Sequence, residues 1–285
     1  MAAIPTVTLA NGVIMPAIAY GVFRMKDLEA CEQAVLDAFE AGYRFIDTAT
    51  AYHNEKAVGC AITRSGIPRD ELFISTKLQT KSTSYELARD AFESSLEKLG
   101  LDYIDLYFIH QPYNDVFGAW RALVELMNEG RIRALGLDNF TAARMADFLA
   151  FNDVAPAVDF IEVNPFCQQL ETVPYLQSRN VQPMAWSPLG AGNNELFGNP
   201  VMRTIAAAHN KSVAQVTLRW LTQRGIVPAV KSANPVRMRE NLAVFDFELS
   251  EDEMAAIKPL DRGISAAARS TGTEVDAFLS VALNG

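Results

Sequence analysis

With 285 residues and a hydrophobic fraction of 49%, the chain holds enough apolar material for a sizeable core, and its 21% of charged residues form no low-complexity tract, which argues against disorder. A total of 34 Asp and Glu against 25 Lys and Arg gives a net charge of −9, so the broad basic surface that a phosphate backbone requires is missing and nucleic acid is not expected as a partner. A local basic pocket for one small anion stays open.

The chain opens Met1-Ala-Ala-Ile-Pro5, without a charged region followed by an apolar run, and no stretch of about 18 apolar residues follows anywhere. The expectation is a cytoplasmic protein with no membrane partner. Asn11-Gly12 stands between two short apolar runs and predicts an N-terminal β-hairpin, because that dipeptide favours the φ > 0 geometry of a tight turn. An alternation then begins. Apolar β-type runs occupy 17–21, 44–48, 72–77, 103–110, 132–137, 158–163, 181–186 and 226–230. Between them lie helical periodicities over 28–41, 57–65, 85–99, 116–129, 142–151, 173–178, 201–222 and 236–244. Cys31 and Cys60 fall within apolar-periodic stretches and read as small core residues; with Cys167 they make an odd number whose spacing suits neither a disulfide framework nor a zinc site.

The β-type runs show little polar alternation, as expected of strands buried on both faces in a parallel sheet covered by helices. Strand-then-helix repeated along the chain, without a composition shift or long linker, predicts a single (β/α)8 barrel domain over 1–285. An open doubly wound sheet is the alternative. It is disfavoured because no G-x-G-x-x-G follows the first strand, and Gly190-Ala-Gly192 is too short a match.

Barrel enzymes carry their chemistry at the carboxyl ends of the strands. Those ends hold Asp47, Lys77 and His110 in succession, and Tyr52 lies in the loop that follows Asp47. Each alone has an ordinary explanation: a turn residue, a solvated cation, a packed ring, a structural imidazole. Together at successive strand ends they suit proton transfer coupled to hydride transfer. A phenol with a reference pKa near ~10 is a poor acid, and a neighbouring Lys ammonium, held by a carboxylate, is expected to lower it. His110 is placed to donate a hydrogen bond to a carbonyl or to share a proton with Tyr52. The hydride must come from elsewhere.

These residues resemble a known family. Asp47-Thr-Ala-Thr-Ala-Tyr52-His-Asn-Glu55 with Gly59, Ser75-Thr-Lys77, Phe108-Ile-His110-Gln-Pro112 and Lys231-Ser-Ala-Asn-Pro-Val-Arg237-Met-Arg-Glu240-Asn241 are similar to the signatures of the aldo-keto reductase superfamily, in the same order and across nearly the whole chain. The similarity extends to short bacterial members that include 2,5-diketo-gluconate reductases and general aldehyde reductases. It implies a TIM-barrel oxidoreductase that reduces small aldehydes, ketones, dicarbonyls or keto sugars with NADPH, becoming NADP+, and without a metal. It implies Asp47, Tyr52, Lys77 and His110 as the catalytic tetrad. For the cofactor it implies Asp138 and Asn139 at the nicotinamide carboxamide, Trp186 (usually Tyr) stacked on the ring, and Ser187 with Leu189 at the pyrophosphate. Lys231, Ser232 and Arg237 are implied at the 2′-phosphate, where charge-assisted hydrogen bonds would select against NADH. Glu240 and Asn241 are implied at the adenine. Many relatives are monomers, and the same is expected here.

The chain departs from the family pattern in places. Asp138 replaces the usual Ser; as a carboxylate near the ring it would favour NADP+ over NADPH, and the alternatives are an Asp138 that is protonated or turned away to water. Phe160 stands at the usual carboxamide-binding Gln, and Gln111 where many members have Trp. In the tail from 263 to 285, Phe278 and Leu279 are the only bulky candidates for the substrate wall, predicting an open pocket. An NADPH-binding regulatory or assembly protein of the same fold is the alternative function. A metal-dependent hydrolase is disfavoured, since His53, His110 and His209 form no H-x-H or H-E-x-x-H pattern.

Overall fold

A computed structural model of the protein describes residues 4–192, 194–266, 269 and 271–284. The chain enters through a hairpin of β1 (Thr6–Thr8) and β2 (Ile14–Pro16), in which Thr8 faces Ile14. Its loop is one residue longer than a two-residue primed turn. Leu9 N–H donates to Val13 O at 2.9 Å and Gly12 N–H to Leu9 O at 2.8 Å, and within the loop only Gly12 takes a positive φ, of 84°. Such a loop asks left-handed backbone of a single residue, and glycine supplies it at no steric cost.

Eight parallel strands follow: β3 (Ala19–Gly21), β4 (Phe45–Asp47), β5 (Phe73–Leu78), β6 (Ile104–Ile109), β7 (Ile132–Asp138), β8 (Val158–Glu162), β9 (Gln182–Trp186) and β10 (Val227–Val230). They close in the order β10-β3-β4-β5-β6-β7-β8-β9. The (β/α)8 barrel read from the sequence is therefore the observed architecture. Between and after the strands run α1 (Leu28–Ala41), α2 (Glu55–Ser65), α3 (Tyr85–Leu99), α4 (Val116–Asn128), α5 (Ala142–Phe151), α6 (Thr172–Ser178), α7 (Asn194–Gly198), α8 (Pro200–Ala208), α9 (Val213–Gln223), α10 (Pro235–Leu242), α11 (Glu251–Ile257) and α12 (Gly272–Asn284).

The helical stretch predicted over 201–222 is two helices. Asn210 turns left-handed at φ 51°, ending α8, and Ser212 with Gln215 forms a reciprocal capping box that starts α9. A second such box, Ser250 with Glu253, opens α11, which hydrophobic periodicity had not singled out.

Two apolar clusters hold the molecule together. An inner one, including Phe45, Phe73, Leu106, Phe108, Val158, Phe160, Met184 and Val227, fills the barrel, and Leu9 and Met15 of the hairpin join it at the amino-terminal end. A larger outer one packs the helices on the strands. At that amino-terminal end, buried Asp105 accepts from Arg69 at 2.6 Å, Arg133 at 2.9 Å and the Ile74 N–H at 2.9 Å. This is a fully partnered structural carboxylate. Two surface hollows also lie at this end, around Gly100, Leu101 and Asp102, away from the strand ends that carry the acid–base groups.

Candidate active site

The carboxyl ends of β4, β5, β6 and β7 bring Asp47, Lys77, His110 and Asp138 to one side of the barrel mouth. Asp47 closes β4 opposite Ser75 of β5, and Ser75 Oγ donates to Asp47 Oδ1 at 2.7 Å. Lys77 is fully buried. Its Nζ donates to Asp47 Oδ1 at 2.6 Å and to Thr48 O at 2.8 Å. An ammonium has three N–H donors, so two are fixed by this contact and one remains. A desolvated ion pair holds only with good geometry and supporting hydrogen bonds, and Ser75 and the Thr48 carbonyl supply them.

Tyr52 sits on a single turn of 3-10 helix, Thr50–Tyr52. Asn54 anchors that loop: its Nδ2 donates to Val22 O at 3.0 Å and Met25 O at 3.3 Å, and its Oδ1 accepts from Thr48 Oγ1 at 2.7 Å. The Tyr52 ring then has Lys77 Nζ 5.4 Å from its centroid and the His110 ring edge-on at 5.7 Å. The four residues singled out at the strand ends thus meet in one place. Phe23, 52% exposed in the β3–α1 loop, packs against Tyr52 at 4.9 Å and extends the wall. Nothing in the local pattern marks that contact, because it joins two separate loops.

The electrostatics correct one expectation. Burial, followed by the charge of Asp47, raises the Tyr52 phenol well above its ordinary value. The lowering expected from Lys77 does not prevail, because burial is the largest cause of the shift. Tyr52 is therefore a phenol throughout the physiological range, able to give a proton but not to take one. Burial, aided by Lys77, pushes His110 down to about 3, leaving a neutral imidazole with one donor and one acceptor nitrogen.

Asp138 corrects another. It is 2% exposed, its Oδ1 has no partner, and its Oδ2 lies 3.8 Å from His110 Nε2, beyond hydrogen-bond reach. Burial raises its carboxyl well above the usual range; Lys77 opposes this, while Asp159 and Asp47 add to it. Burial thus favours the neutral form of a group expected as a carboxylate. Phe160, paired with Asp138 across β7 and β8, does not line the mouth as a polar grip. Its ring lies 5.7 Å from Phe108 and 5.0 Å from Lys77 Nζ, and the two rings floor the site. Gly136 makes room for this, since a Cβ there would come within 2.5 Å of the Phe108 ring.

The remaining predicted contacts spread around the rim. Asn139 is left-handed at φ 66°, and its Oδ1 accepts from Trp186 Nε1 at 3.0 Å, which fixes the indole at the end of β9. Ser187 is also left-handed, at φ 48°, and starts the turn in which Gly190 N–H donates to Ser187 O at 2.9 Å; Leu189 is half-buried beside it. After β10, Lys231 and Arg237 are exposed, and among the described residues neither forms an ion pair. Ser232 Oγ donates to Asn234 O at 3.3 Å, and its carbonyl accepts from Tyr20 Oη at 2.5 Å. Glu240 is exposed, whereas Asn241 is buried with Met238 on the inner face of α10. Asn234 has a local role beyond the motif that contains it. It caps α10, accepting from Val236 N–H at 2.9 Å, and the Asn-Pro pair is a recognisable helix start.

The tail follows a tether in which Glu162, at the end of β8, accepts from Ser265 Oγ at 2.8 Å and Ala266 N–H at 2.5 Å. In α12, Phe278 packs on Tyr113 at 5.5 Å, and no residue of the helix is fully buried. Gln111 follows His110 with its Oε1 buried and unpartnered. Among the described residues no helix is long and apolar enough to cross a membrane, and no group of three or more His, Cys, Asp or Glu converges as a metal site.

Comparison with known proteins places this arrangement. Residues 17–262 match the model of the aldo/keto reductase family. The chain is 46% identical to an aldo-keto reductase of Mycolicibacterium vanbaalenii, over 92% of this chain and 94% of that one. It is 44% identical to the glyoxal reductase of Bacillus subtilis, over 90% and 93%. The fold superposes with a TM-score of 0.90 on a Bombyx mori aldo-keto reductase crystallised with NADP, 33% identical, covering 95% and 97%. The chain belongs to the aldo/keto reductase family and is an oxidoreductase.

Proposed function

We propose that the protein reduces small aldehydes, ketones, dicarbonyls or keto sugars to alcohols with NADPH, using Tyr52 as the proton donor. The observation that carries this is the convergence of a phenol held protonated, a buried Lys77–Asp47 pair and a neutral His110 at one mouth. The relatives fit: a glyoxal reductase and an NADP complex are among them. The cofactor suits the rim residues, because an indole fixed by Asn139 offers a flat face and Lys231 and Arg237 form no ion pair among the described residues. Trp186, Asn139 and Asp138 would hold the nicotinamide end, Ser187 and Leu189 the pyrophosphate, Lys231, Ser232 and Arg237 the 2′-phosphate, and Glu240 with Asn241 the adenine. Bound there, NADPH supplies the hydride.

The chain's own residues do the rest. His110 donates an N–H to the substrate oxygen and orients the carbonyl. As negative charge grows on that oxygen, the Tyr52 hydroxyl passes its proton across, and the free N–H of Lys77 stabilises the phenolate left behind. Asp47 keeps Lys77 charged and in place. The open wall of Phe23, Tyr113 and Phe278 favours small and varied carbonyls. The chain is read as one barrel domain, acting as a monomer in the cytoplasm.

Arg237→Ala tests the cofactor assignment. Losing a charge-assisted contact should weaken NADPH on the order of tenfold or more while NADH changes little, measured by fluorescence titration. Equal losses for both nucleotides would argue against the 2′-phosphate clamp.

A further inference from the structure

We propose that Asp138 is a proton store keyed to the charge of the nicotinamide: it stays a neutral acid in the free protein and with NADPH, and it releases its proton when NADP+ occupies the mouth. This rests on the cofactor reading above.

The geometry sets the carboxyl between two parts of the site. On one side His110 Nε2 lies 3.8 Å from Oδ2. On the other, the next residue, Asn139, fixes the Trp186 indole. Oδ1 has no hydrogen-bond partner among the described residues. The ionisable groups facing this carboxyl are Asp47 from β4, Tyr52 from its loop, Lys77 from β5, His110 from β6 and Asp159 from β8. Only Lys77 carries positive charge, and it is bound to Asp47 at 2.6 Å. Phe160 and Phe108 add an apolar floor. An ionised carboxylate here would lack both water and a dedicated counter-ion, so the proton stays.

NADP+ and NADPH differ at this spot in one respect, the positive charge of the oxidised ring. NADP+ brings the counter-charge that Asp138 lacks; NADPH does not. The earlier expectation that Asp138 would favour NADP+ then holds only by way of deprotonation. In turnover the protons balance. The Tyr52 O–H breaks as the substrate O–H forms, and the proton that Asp138 gives up as the ring becomes cationic balances the one that restores the Tyr52 phenol. Solvent reprotonates Asp138 when NADP+ leaves. Asp138 is thus a proton-storing residue beside the nicotinamide end of the mouth.

The test is calorimetric titration of NADP+ and of NADPH into the whole protein in buffers of different ionisation enthalpy, which counts protons exchanged. Wild type should release about one proton more with NADP+ than with NADPH, and NADP+ affinity should tighten relative to NADPH as pH rises. Titration of the 2′-phosphate is common to both nucleotides and cancels. In Asp138→Asn, which keeps shape and polarity, the difference should vanish while NADPH still binds; Asp138→Ser gives the same readout if Asn does not fold. Equal proton counts for the two nucleotides in wild type would overturn the proposal with the cofactor site intact, and so would a difference that persists in both variants. Failure of either nucleotide to bind would sink the cofactor reading and this one with it.

Discussion

Tyr52 and Lys77 show how one residue's role is set by its neighbours. Lys77 is wholly buried, yet its charge is stabilised by Asp47, with Ser75 and the Thr48 carbonyl completing the hydrogen bonds. Removing the cation strands a buried carboxylate. Lys77→Met should cost on the order of 3 kcal/mol of stability as well as most activity, seen as a lower midpoint in urea unfolding. A variant as stable as wild type would show that Asp47 finds another partner or is protonated without penalty. Tyr52→Phe is the cleaner change, because the ring and its packing against Phe23 remain. It should lower kcat for carbonyl reduction by roughly 10²–10⁴ and leave NADPH binding nearly unchanged.

Helices and strands deliver these residues, and most were legible in the sequence. The eight strand runs and the strand-end positions of Asp47, Lys77 and His110 follow from periodicity and local chemistry. What periodicity obscured was the break at Asn210, where the apolar pattern continues across two helices and only the Ser212–Gln215 capping box marks the restart. Less legible were features created by contacts between distant segments: Phe23 against Tyr52, Asn54 tying two loops, and the neutral state of Asp138, which depends on burial by several strands. Gly59 is one such feature. A Cβ on it would lie 2.5 Å from Leu99 O, so α2 meets the end of α3 through a bare backbone. Gly59→Ala should force the two helices apart and destabilise by about 1–3 kcal/mol, despite the better helix propensity of Ala. A raised Tm in thermal unfolding would refute that close approach.

Taken whole, the molecule carries titratable groups whose buried states bind protons differently from the unfolded chain. His110 titrates near 3 when folded, so on acidification the unfolded chain takes up its proton first and stability falls as pH drops below the ordinary imidazole range. Asp159 acts in the opposite sense. It is fully buried on β8, and neither oxygen has a well-formed hydrogen bond; the nearby N–H groups of Phe140 and Phe160 only partly offset its burial. Its raised carboxyl contributes stability below the ordinary carboxylate range and loses it as pH rises toward the folded value. Asp159→Asn should therefore raise Tm at neutral pH and flatten its decline toward alkaline pH. An unchanged pH dependence would mean that Asp159 is not held protonated in the fold.

The central claim is that this barrel mouth reduces carbonyls with NADPH through Tyr52. Its most direct test follows the loss of NADPH absorbance with methylglyoxal and an aromatic aldehyde, comparing wild type with Tyr52→Phe at matched, confirmed NADPH occupancy. Turnover by wild type, nearly abolished in the variant while the nucleotide still binds, is the predicted result. Tight NADPH binding with no turnover by wild type on any carbonyl, or undiminished turnover in Tyr52→Phe, would contradict it.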